Sequence, residues 1–125
     1  MKQFIKLKAN YDFRRIYKKG KAIVCPYFVM YVAKGRKEKL RLGITAGKKV
    51  GGAVERNRAK RVIYAAFRAV AQNIPMGNDI IIVARTKILT QKSTCIEKEL
   101  ERQLKSNDFW YEDEKPVESI SDKAD

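Results

Sequence analysis

The spacing of hydrophobic residues predicts a short helix near the start of the chain. Phe13, Ile16 and Tyr17 recur three and four residues apart, so they share one face of a helix over residues 10–18. Gly20 follows two residues later and is a common residue at a helix end. We therefore expect a small amphipathic helix that packs this face on the rest of the domain.

Three further segments have the composition of strands. Residues 23–33 are rich in β-branched and aromatic side chains, with a bend expected at Pro26. Residues 40–45 follow a charged loop, and these two segments are expected to pair as an antiparallel hairpin. Residues 80–84 are continuously apolar, as in a strand that is buried on both faces.

Two more helices complete the predicted order of elements. A glycine-containing turn at residues 47–52 opens a long helix that runs to about Gln72, with an apolar side at helical period. The last helix begins near Ser93, where Thr94 and Glu97 have the spacing of a capping box. The order is α-β-β-α-β-α, with the third strand parallel to the second. It predicts a single-domain α+β sandwich with helices against one sheet.

Charge divides the chain into a basic body and an acidic tail, with a net charge of +14. Residues up to Ile96 include 23 bases and 4 acids, whereas the rest of the chain includes 5 bases and 10 acids. We expect one domain over residues 1–106 and an acidic, flexible tail over residues 107–125. The tail has one apolar island of unassigned role: Phe109, Trp110 and Tyr111. A body this basic favours a nucleic acid as partner over plain solubilising charge.

The strongest positive charge lies on the second helix. Between residues 48 and 68, seven bases face a single acid. One stripe of the helix, opposite its apolar side, comprises Asn57, Arg61, Tyr64 and Arg68. Arginine binds phosphate oxygens with two N–H groups at once and also stacks on bases. The alternative is an ordinary solvated face, which the near absence of acids disfavours.

A second group of residues interleaves aromatic rings with positive charges. The rings are those of Phe13, Tyr17, Tyr27 and Tyr31, and strand alternation points the last two to one side. Arg14 and Lys18 are their neighbours on the first helix. Aromatic faces stack unpaired bases at about 1–3 kcal/mol per base, while cations hold the phosphate backbone. The alternative is that the rings are plain core, and spacing alone does not decide between the two.

Residues for catalysis by the protein itself are scarce. The sequence has no histidine, which excludes Cys–His zinc sites, catalytic triads and His-based acid–base chemistry. The carboxylates before the tail are scattered and indicate no metal pair. Cys25 and Cys95 form no CxxC pair and are expected to be reduced thiols. Since no apolar run reaches membrane-spanning length, we expect a cytoplasmic protein without a membrane partner.

The run RLGITAGKKVGGAVERNRAKRVIYAAFR, residues 41–68, carries a long and specific motif. An Arg-Asn-Arg-x-Lys-Arg core follows a strand and a Lys-Lys-x-Gly turn, here Arg56, Asn57, Arg58, Lys60 and Arg61 after Lys48, Lys49 and Gly51. The motif resembles that of the protein subunit of bacterial ribonuclease P. A Phe-containing first helix and the strand sequence Phe-Val-x-Tyr at residues 28–31 are also similar to that family. The resemblance covers roughly residues 4–105 and leaves out the acidic tail.

The resemblance implies a fold, partners and site roles. The fold is a one-domain sandwich similar to the second domain of ribosomal protein S5, with a left-handed crossover between its parallel strands. The protein assists a catalytic RNA, one protein per RNA, in endonucleolytic removal of the 5′ leader from precursor tRNA, with Mg²⁺ held mainly by the RNA and the substrate. The implied leader contacts are Phe13, Tyr17, Tyr27, Tyr31, Arg14 and Lys18. The implied catalytic-RNA contacts are Lys48, Lys49, Arg56, Asn57, Arg58, Lys60, Arg61, Tyr64 and Arg68.

Two other functions compete with this one. A ribosomal or translation-factor-like RNA-binding module would use the same sandwich and charge, but it would not prefer precursor tRNA over mature tRNA. An autonomous Mg²⁺ nuclease is disfavoured by the few, scattered carboxylates.

Overall fold

The computed structural model describes residues 4–112 of the chain. In chain order its elements are β1 (Ile5–Lys6), α1 (Asn10–Lys19), β2 (Lys21–Val24), β3 (Phe28–Lys34), β4 (Leu40–Thr45), α2 (Ala53–Val70), β5 (Asn78–Ala84) and α3 (Ser93–Ser106), with 3₁₀ helices at Ala71–Asn73 and Thr86–Thr90. The predicted α+β class and the three predicted helices are confirmed. Residues 113–125, which make up most of the predicted tail, lie outside the described residues.

The strands form one mixed sheet in the order β1-β4-β5-β3-β2. β5 lies at its centre, antiparallel to β3 through seven paired residues and parallel to β4 through six. The parallel relation of β4 and β5 is as predicted, whereas the predicted hairpin between β3 and β4 is wrong, because β5 lies between them. A continuously apolar strand buries both faces best at the centre of a sheet. The hand of the crossover through α2 stays a prediction.

The single strand predicted over residues 23–33 is two strands. β2 and β3 pair with each other as an antiparallel hairpin, and Pro26 lies in the turn between them. The N–H of Cys25 donates to the C=O of Phe28 at 3.0 Å and closes this turn. Proline has no N–H to give to a ladder, so it suits a turn better than a bend within a strand.

β1 is a two-residue edge strand that the sequence pattern did not indicate. It pairs in parallel with Arg41 and Leu42 of β4, and the N–H of Leu7 donates to the C=O of Leu42 at 2.9 Å. From Gly43 onward, no strand among residues 4–112 pairs with the outer edge of β4. The sheet is therefore open at this edge.

Helices cover both faces of the sheet. α2 and α3 pack over the larger core, which includes the fully buried Phe28, Met30 and Phe67. α1 packs on the opposite face, where Ile16 and Ile81 belong to a smaller core. Successive residues of β5 thus alternate between two cores, which explains its unbroken apolar run. None of the helices in the described part is long and apolar enough to cross a bilayer.

A buried charge network ties α1 to the sheet. Asp79 of β5 is fully buried and accepts two hydrogen bonds from Arg41, at 2.8 Å each, and one from Arg15, at 2.5 Å. Asp12 of α1 accepts longer bonds from both arginines, at 3.3–3.4 Å. Burial alone would raise the pKa of the Asp79 carboxyl, but the hydrogen bonds from Arg41 and Arg15 outweigh it and hold that pKa below its ordinary value.

Ordered packing continues past residue 106, the predicted end of the domain. Phe109 and Trp110 pack against the larger core, and the Lys105 ammonium lies 5.5 Å from the centroid of the Trp110 ring. Tyr111 and Asn73 exchange two hydrogen bonds of 2.9 Å, one from the Tyr111 N–H and one from the Asn73 side-chain amide. The chain that follows α3 is therefore held against the 3₁₀ turn at the end of α2.

Candidate nucleic-acid interface

Three of the four predicted aromatic residues meet on the face of the sheet that carries α1. The ring centroid of Tyr17 lies 6.4 Å from that of Phe13 and 4.9 Å from that of Tyr31, which it meets edge-on. Tyr17 is 41% exposed, and the other two rings are partly exposed. We call these three residues the ring cluster. Phe13 and Tyr31 pack on the smaller core, and all three rings keep a solvent-facing surface, so the core and the base-stacking interpretations both apply in part.

Gly43 allows the Phe13 ring to lie directly on β4. A Cβ atom at residue 43 would come within 2.7 Å of Phe13 Cζ, closer than packed atoms approach. The Phe13 ring therefore occupies the space that a side chain at residue 43 would fill. A glycine inside a strand is the one sequence signal for such a close approach, but it does not identify the partner.

Tyr27 lies apart from the ring cluster. It precedes β3, packs against the larger core, and its C=O accepts a hydrogen bond from the N–H of Arg85 at 3.0 Å. β3 begins at Phe28, so the alternation of side chains along the strand does not place Tyr27 on the same face as Tyr31. Arg14 and Lys18, in contrast, are exposed on α1 beside the ring cluster.

A partly exposed row of the sheet extends from the ring cluster. Thr45, Val83 and Val29 are cross-strand neighbours in this row, and Val24 at its outer end is 60% exposed. Val29 is two residues from Tyr31 along β3, so both side chains are on the same face. The row forms an apolar floor beside the rings.

Positive charge lies at one end of this floor. A cleft of about 470 Å³ is lined by Val83 and Arg85 of the β5 end and by Lys48 and Lys49 of the turn before α2. The hydroxyl of Thr86 donates to the C=O of Lys49 at 3.2 Å and links the two segments. The two predicted lysines therefore lie near the sheet floor as well as near the start of α2.

Among residues 4–112, the basic side of α2 has no acidic counter-charge. Its predicted contact residues are exposed except for Arg56, which is half-buried. In the described part of the chain, no salt bridge involves any basic residue between positions 48 and 68. Glu55, the single acid there, accepts a hydrogen bond from the N–H of Gly52 at 2.9 Å and so caps the helix. This surface presents unneutralised positive charge to solvent.

A further cleft, of about 550 Å³, opens at the outer edge of β4 where β1 stops. We call it the edge cleft. Residues of β1, β4, α1 and α2 line it: Lys6, Leu7, Phe13, Leu42, Gly43, Ile44, Lys60, Arg61 and Tyr64. It lies between the ring cluster on one side of the sheet and the basic side of α2 on the other. Nothing in the sequence pattern indicates it, because β1 was not predicted.

The protein side chains described here do not make a metal site. Between residues 4 and 112, no three Cys, Asp or Glu residues are grouped so that they could hold an ion. Asp12 and Asp79 do come together, but Arg15 and Arg41 already engage their oxygens. This carboxylate pair therefore does not fit a divalent cation, which needs free oxygen ligands. The same pairing leaves neither carboxylate free to act as a general base.

The domain has a mixed sheet with helices on both faces, solvent-facing rings and a basic helix without acidic partners among residues 4–112. These features define a class of small basic α+β domains suited to binding polyanions. The sequence model of the ribonuclease P family matches residues 1–107. The chain belongs to the ribonuclease P protein family.

Individual relatives agree with this assignment. The ribonuclease P protein component of Staphylococcus epidermidis is 42% identical over 106 residues, 84% of this chain and 91% of the relative. That of Caldanaerobacter subterraneus is 34% identical over 110 residues, 88% and 95% of the two chains. The solved ribonuclease P protein of Staphylococcus aureus has a TM-score of 0.75 at 35% identity and covers 87% of this chain and 100% of its own. That of Thermotoga maritima has a TM-score of 0.72 at 32% identity, covering 81% and 96%.

Proposed function

We propose that this chain is the protein subunit of a ribonuclease P holoenzyme, the endoribonuclease that removes the 5′ leader from precursor tRNA. Family membership supports the activity. The observation that carries the proposal further is that one small domain presents both solvent-facing rings and unneutralised arginines. Rings favour single-stranded RNA, whereas arginines favour the phosphates of any RNA.

The basic side of α2 and its opening turn bind the catalytic RNA in this proposal. Within residues 4–112 these exposed guanidinium and ammonium groups have no acidic partners, so no ion pair of that part of the chain has to break when they bind phosphate. Arg58, which donates to the C=O of Leu89 at 3.3 Å, keeps further N–H groups free for RNA.

The ring cluster and the adjoining sheet row bind the single-stranded leader. Bases stack on Phe13, Tyr17 and Tyr31, while Arg14 and Lys18 hold the sugar-phosphate backbone. Tyr27 packs on the larger core, away from these rings, and is the weakest of the leader candidates.

Bond breaking belongs to the RNA subunit in this proposal, with one protein bound per RNA. Mg²⁺ supplies Lewis-acid and nucleophile-activating chemistry where the RNA and the substrate hold it. The part of the protein is to hold the leader and to screen phosphate repulsion between substrate and catalytic RNA. Its own buried carboxylates are engaged by arginines, which supports this division of labour.

Reconstitution tests the proposal. The full-length protein is combined with transcribed ribonuclease P RNA at low Mg²⁺, and Kd is measured for precursor tRNA and for mature tRNA. The protein should tighten binding of the precursor much more than binding of mature tRNA. Equal tightening would indicate a general RNA-binding module. Cleavage at the mature 5′ end by protein rigorously freed of RNA would place the chemistry in the protein instead.

Tyr17→Ala should selectively weaken binding of the leader. Loss of one stacked base should lower the preference for precursor tRNA by roughly 5- to 150-fold, as base–aromatic stacking energies of about 1–3 kcal/mol imply. Tyr11→Ala is the matched control, since Tyr11 is 62% exposed on the same helix and outside the ring cluster. If both variants keep the wild-type preference, the ring cluster is not the leader site.

A further inference from the structure

The lining of the edge cleft combines apolar, aromatic and positively charged side chains. Its apolar and aromatic lining is formed by Leu7, Phe13, Leu42, Ile44 and Tyr64. Its charged lining is formed by Lys6, Lys60 and Arg61, and no carboxylate of residues 4–112 lines it. At about 550 Å³ it is within the size range of small-ligand sites. A planar ring that carries a phosphate, which is the chemistry of a nucleotide, matches this lining.

Packing holds the Tyr64 ring in place while it remains accessible. The centroid of the Phe4 ring lies 5.7 Å from that of Tyr64 and 5.0 Å from that of Phe67, which it meets edge-on. Phe4 therefore packs between Tyr64 and the larger core. Tyr64 is nevertheless 40% exposed. A ring fixed in this way loses little conformational entropy when a base stacks on its free surface.

Phe13 belongs to both the ring cluster and the edge cleft. Its ring is 6.4 Å from Tyr17 and also lines the cleft with Tyr64. The outer edge of β4 has no strand beside it from Gly43 onward within the described residues, so the sheet does not close the passage. An RNA strand stacked on the ring cluster can therefore continue around the sheet edge to α2, past Phe13 and Tyr64, which both line the cleft.

We propose that the edge cleft binds a nucleotide of the 5′ leader, so that Lys60, Arg61 and Tyr64 contact the leader and not the catalytic RNA. This inference rests on the function proposed above and changes the role expected for these three residues. The leader crosses from the face of the sheet that carries α1 to the face that carries α2, with Phe13 at the crossing. The remaining basic residues of α2 stay available to the catalytic RNA.

Tyr64→Ala in the reconstituted holoenzyme tests this path. The preference for precursor over mature tRNA should fall about tenfold, while the Kd between protein and catalytic RNA should stay at the wild-type value. Tyr64→Phe keeps the ring and should restore the preference. Arg68→Gln, on the same stripe of α2 but outside the cleft, should instead weaken binding of the catalytic RNA and leave the precursor preference intact.

Two results would overturn the inference, and they can be told apart. If Tyr64→Ala weakens binding of the catalytic RNA and keeps the precursor preference, the cleft belongs to the catalytic-RNA interface and only the inference fails. If the wild-type protein shows no precursor preference at all, the proposed function fails with it. Circular dichroism and thermal melting establish that each variant is folded before its affinities are compared.

Crosslinking of the unmodified protein gives an independent measurement. Precursor tRNA with 4-thiouridine at successive leader positions is bound to the wild-type holoenzyme and irradiated. At least one leader position should crosslink to the peptide that contains Tyr64, and another to the α1 peptide that contains Phe13. If all leader positions crosslink only to α1 and the sheet, the path through the edge cleft is wrong.

Discussion

At residue 43, a missing side chain sets how closely α1 approaches the sheet. The ring of Phe13 occupies the volume that any larger residue would fill. That ring is in turn one wall of the ring cluster and one wall of the edge cleft. A single glycine in β4 therefore determines the shape of both proposed binding surfaces.

Gly43→Ala should weaken both the fold and leader binding. Its Cβ would meet Phe13 Cζ at 2.7 Å, so the ring has to move. Overpacking of this kind costs about 1–3 kcal/mol of unfolding free energy, which urea denaturation measures. Gly47→Ala is the control for stability, because no atom lies within 4 Å of its Cβ position. Equal urea midpoints for the two variants would mean that the Phe13 ring does not depend on this gap.

Residue positions were predictable where the partner is local in sequence. Phe13 and Tyr17 share a helix face, and their spacing placed them together correctly. Tyr27 was expected beside Tyr31, but the strand starts one residue too late for alternation to apply. Thr94 had the spacing of a capping residue, yet no side chain caps the start of α3. For Tyr27 the pattern extends beyond the strand that sustains it, whereas Thr94 lies inside α3, which begins at Ser93.

At the scale of elements, α1 is held to the sheet by charge as well as by apolar packing. Within residues 4–112, the smaller core beneath it has four buried residues: Leu7, Ile16, Ala33 and Ile81. Ionic contacts of Arg15 with Asp79, and of Asp12 with Arg41, add to this packing. The positions of α1 and of the ring cluster therefore depend on the buried carboxylate of Asp79, for which the sequence pattern indicates no role.

Asp79→Asn should destabilise the protein by about 3 kcal/mol, the lower end for breaking a buried ion pair, because Asp12 remains as the only acidic partner of Arg15 and Arg41 among residues 4–112. Urea denaturation at neutral pH measures the change. Glu101→Gln removes the partially exposed partner of Lys105, in an ion pair on the surface of α3, and should cost much less, because solvent screens exposed pairs. Similar losses for the two variants would show that the buried network contributes no more than a surface pair.

The contribution of Asp79 should also depend on pH. The folded protein holds the pKa of this carboxyl below its ordinary value, so the unfolded chain takes up the proton first. The stabilisation is complete above the ordinary carboxyl pKa of about 4 and is lost as the pH falls through the lower folded-state pKa. The unfolding free energies of wild type and Asp79→Asn should therefore converge in acid. If the difference between the two unfolding free energies stays constant below about pH 4, the stability lost in Asp79→Asn comes from something other than charge.

At the scale of the whole molecule, composition and periodicity gave the fold class but not the order of strands in the sheet. Each helix is visible in the sequence because its apolar face repeats locally. The pairing of β3 and β4 with β5 joins segments far apart in the chain, and no local pattern records which strands become neighbours. The edge cleft was unpredictable for the same reason, since it collects residues from four separate elements.

The extent of the folded body is a testable property of the whole chain. Ending the chain after Ser106 removes Phe109 and Trp110 from the larger core and should lower the unfolding free energy by about 3–5 kcal/mol. A chain that ends after Glu112 keeps both rings and should lose much less. Thermal and urea denaturation of the two truncated proteins measure the difference. Equal stability would mean that the domain does end at residue 106.

The central position of β5 has a consequence for synthesis of the protein. β3 and β4 precede it in the chain, but neither finds its main neighbour until residues Asn78–Ala84 have been made. A nascent chain that has emerged from the ribosome only as far as α2 therefore carries two apolar strands with open inner edges. Such intermediates are prone to aggregate until the missing strand arrives. We expect chaperones to engage this protein mainly in the interval before its fifth strand leaves the exit tunnel.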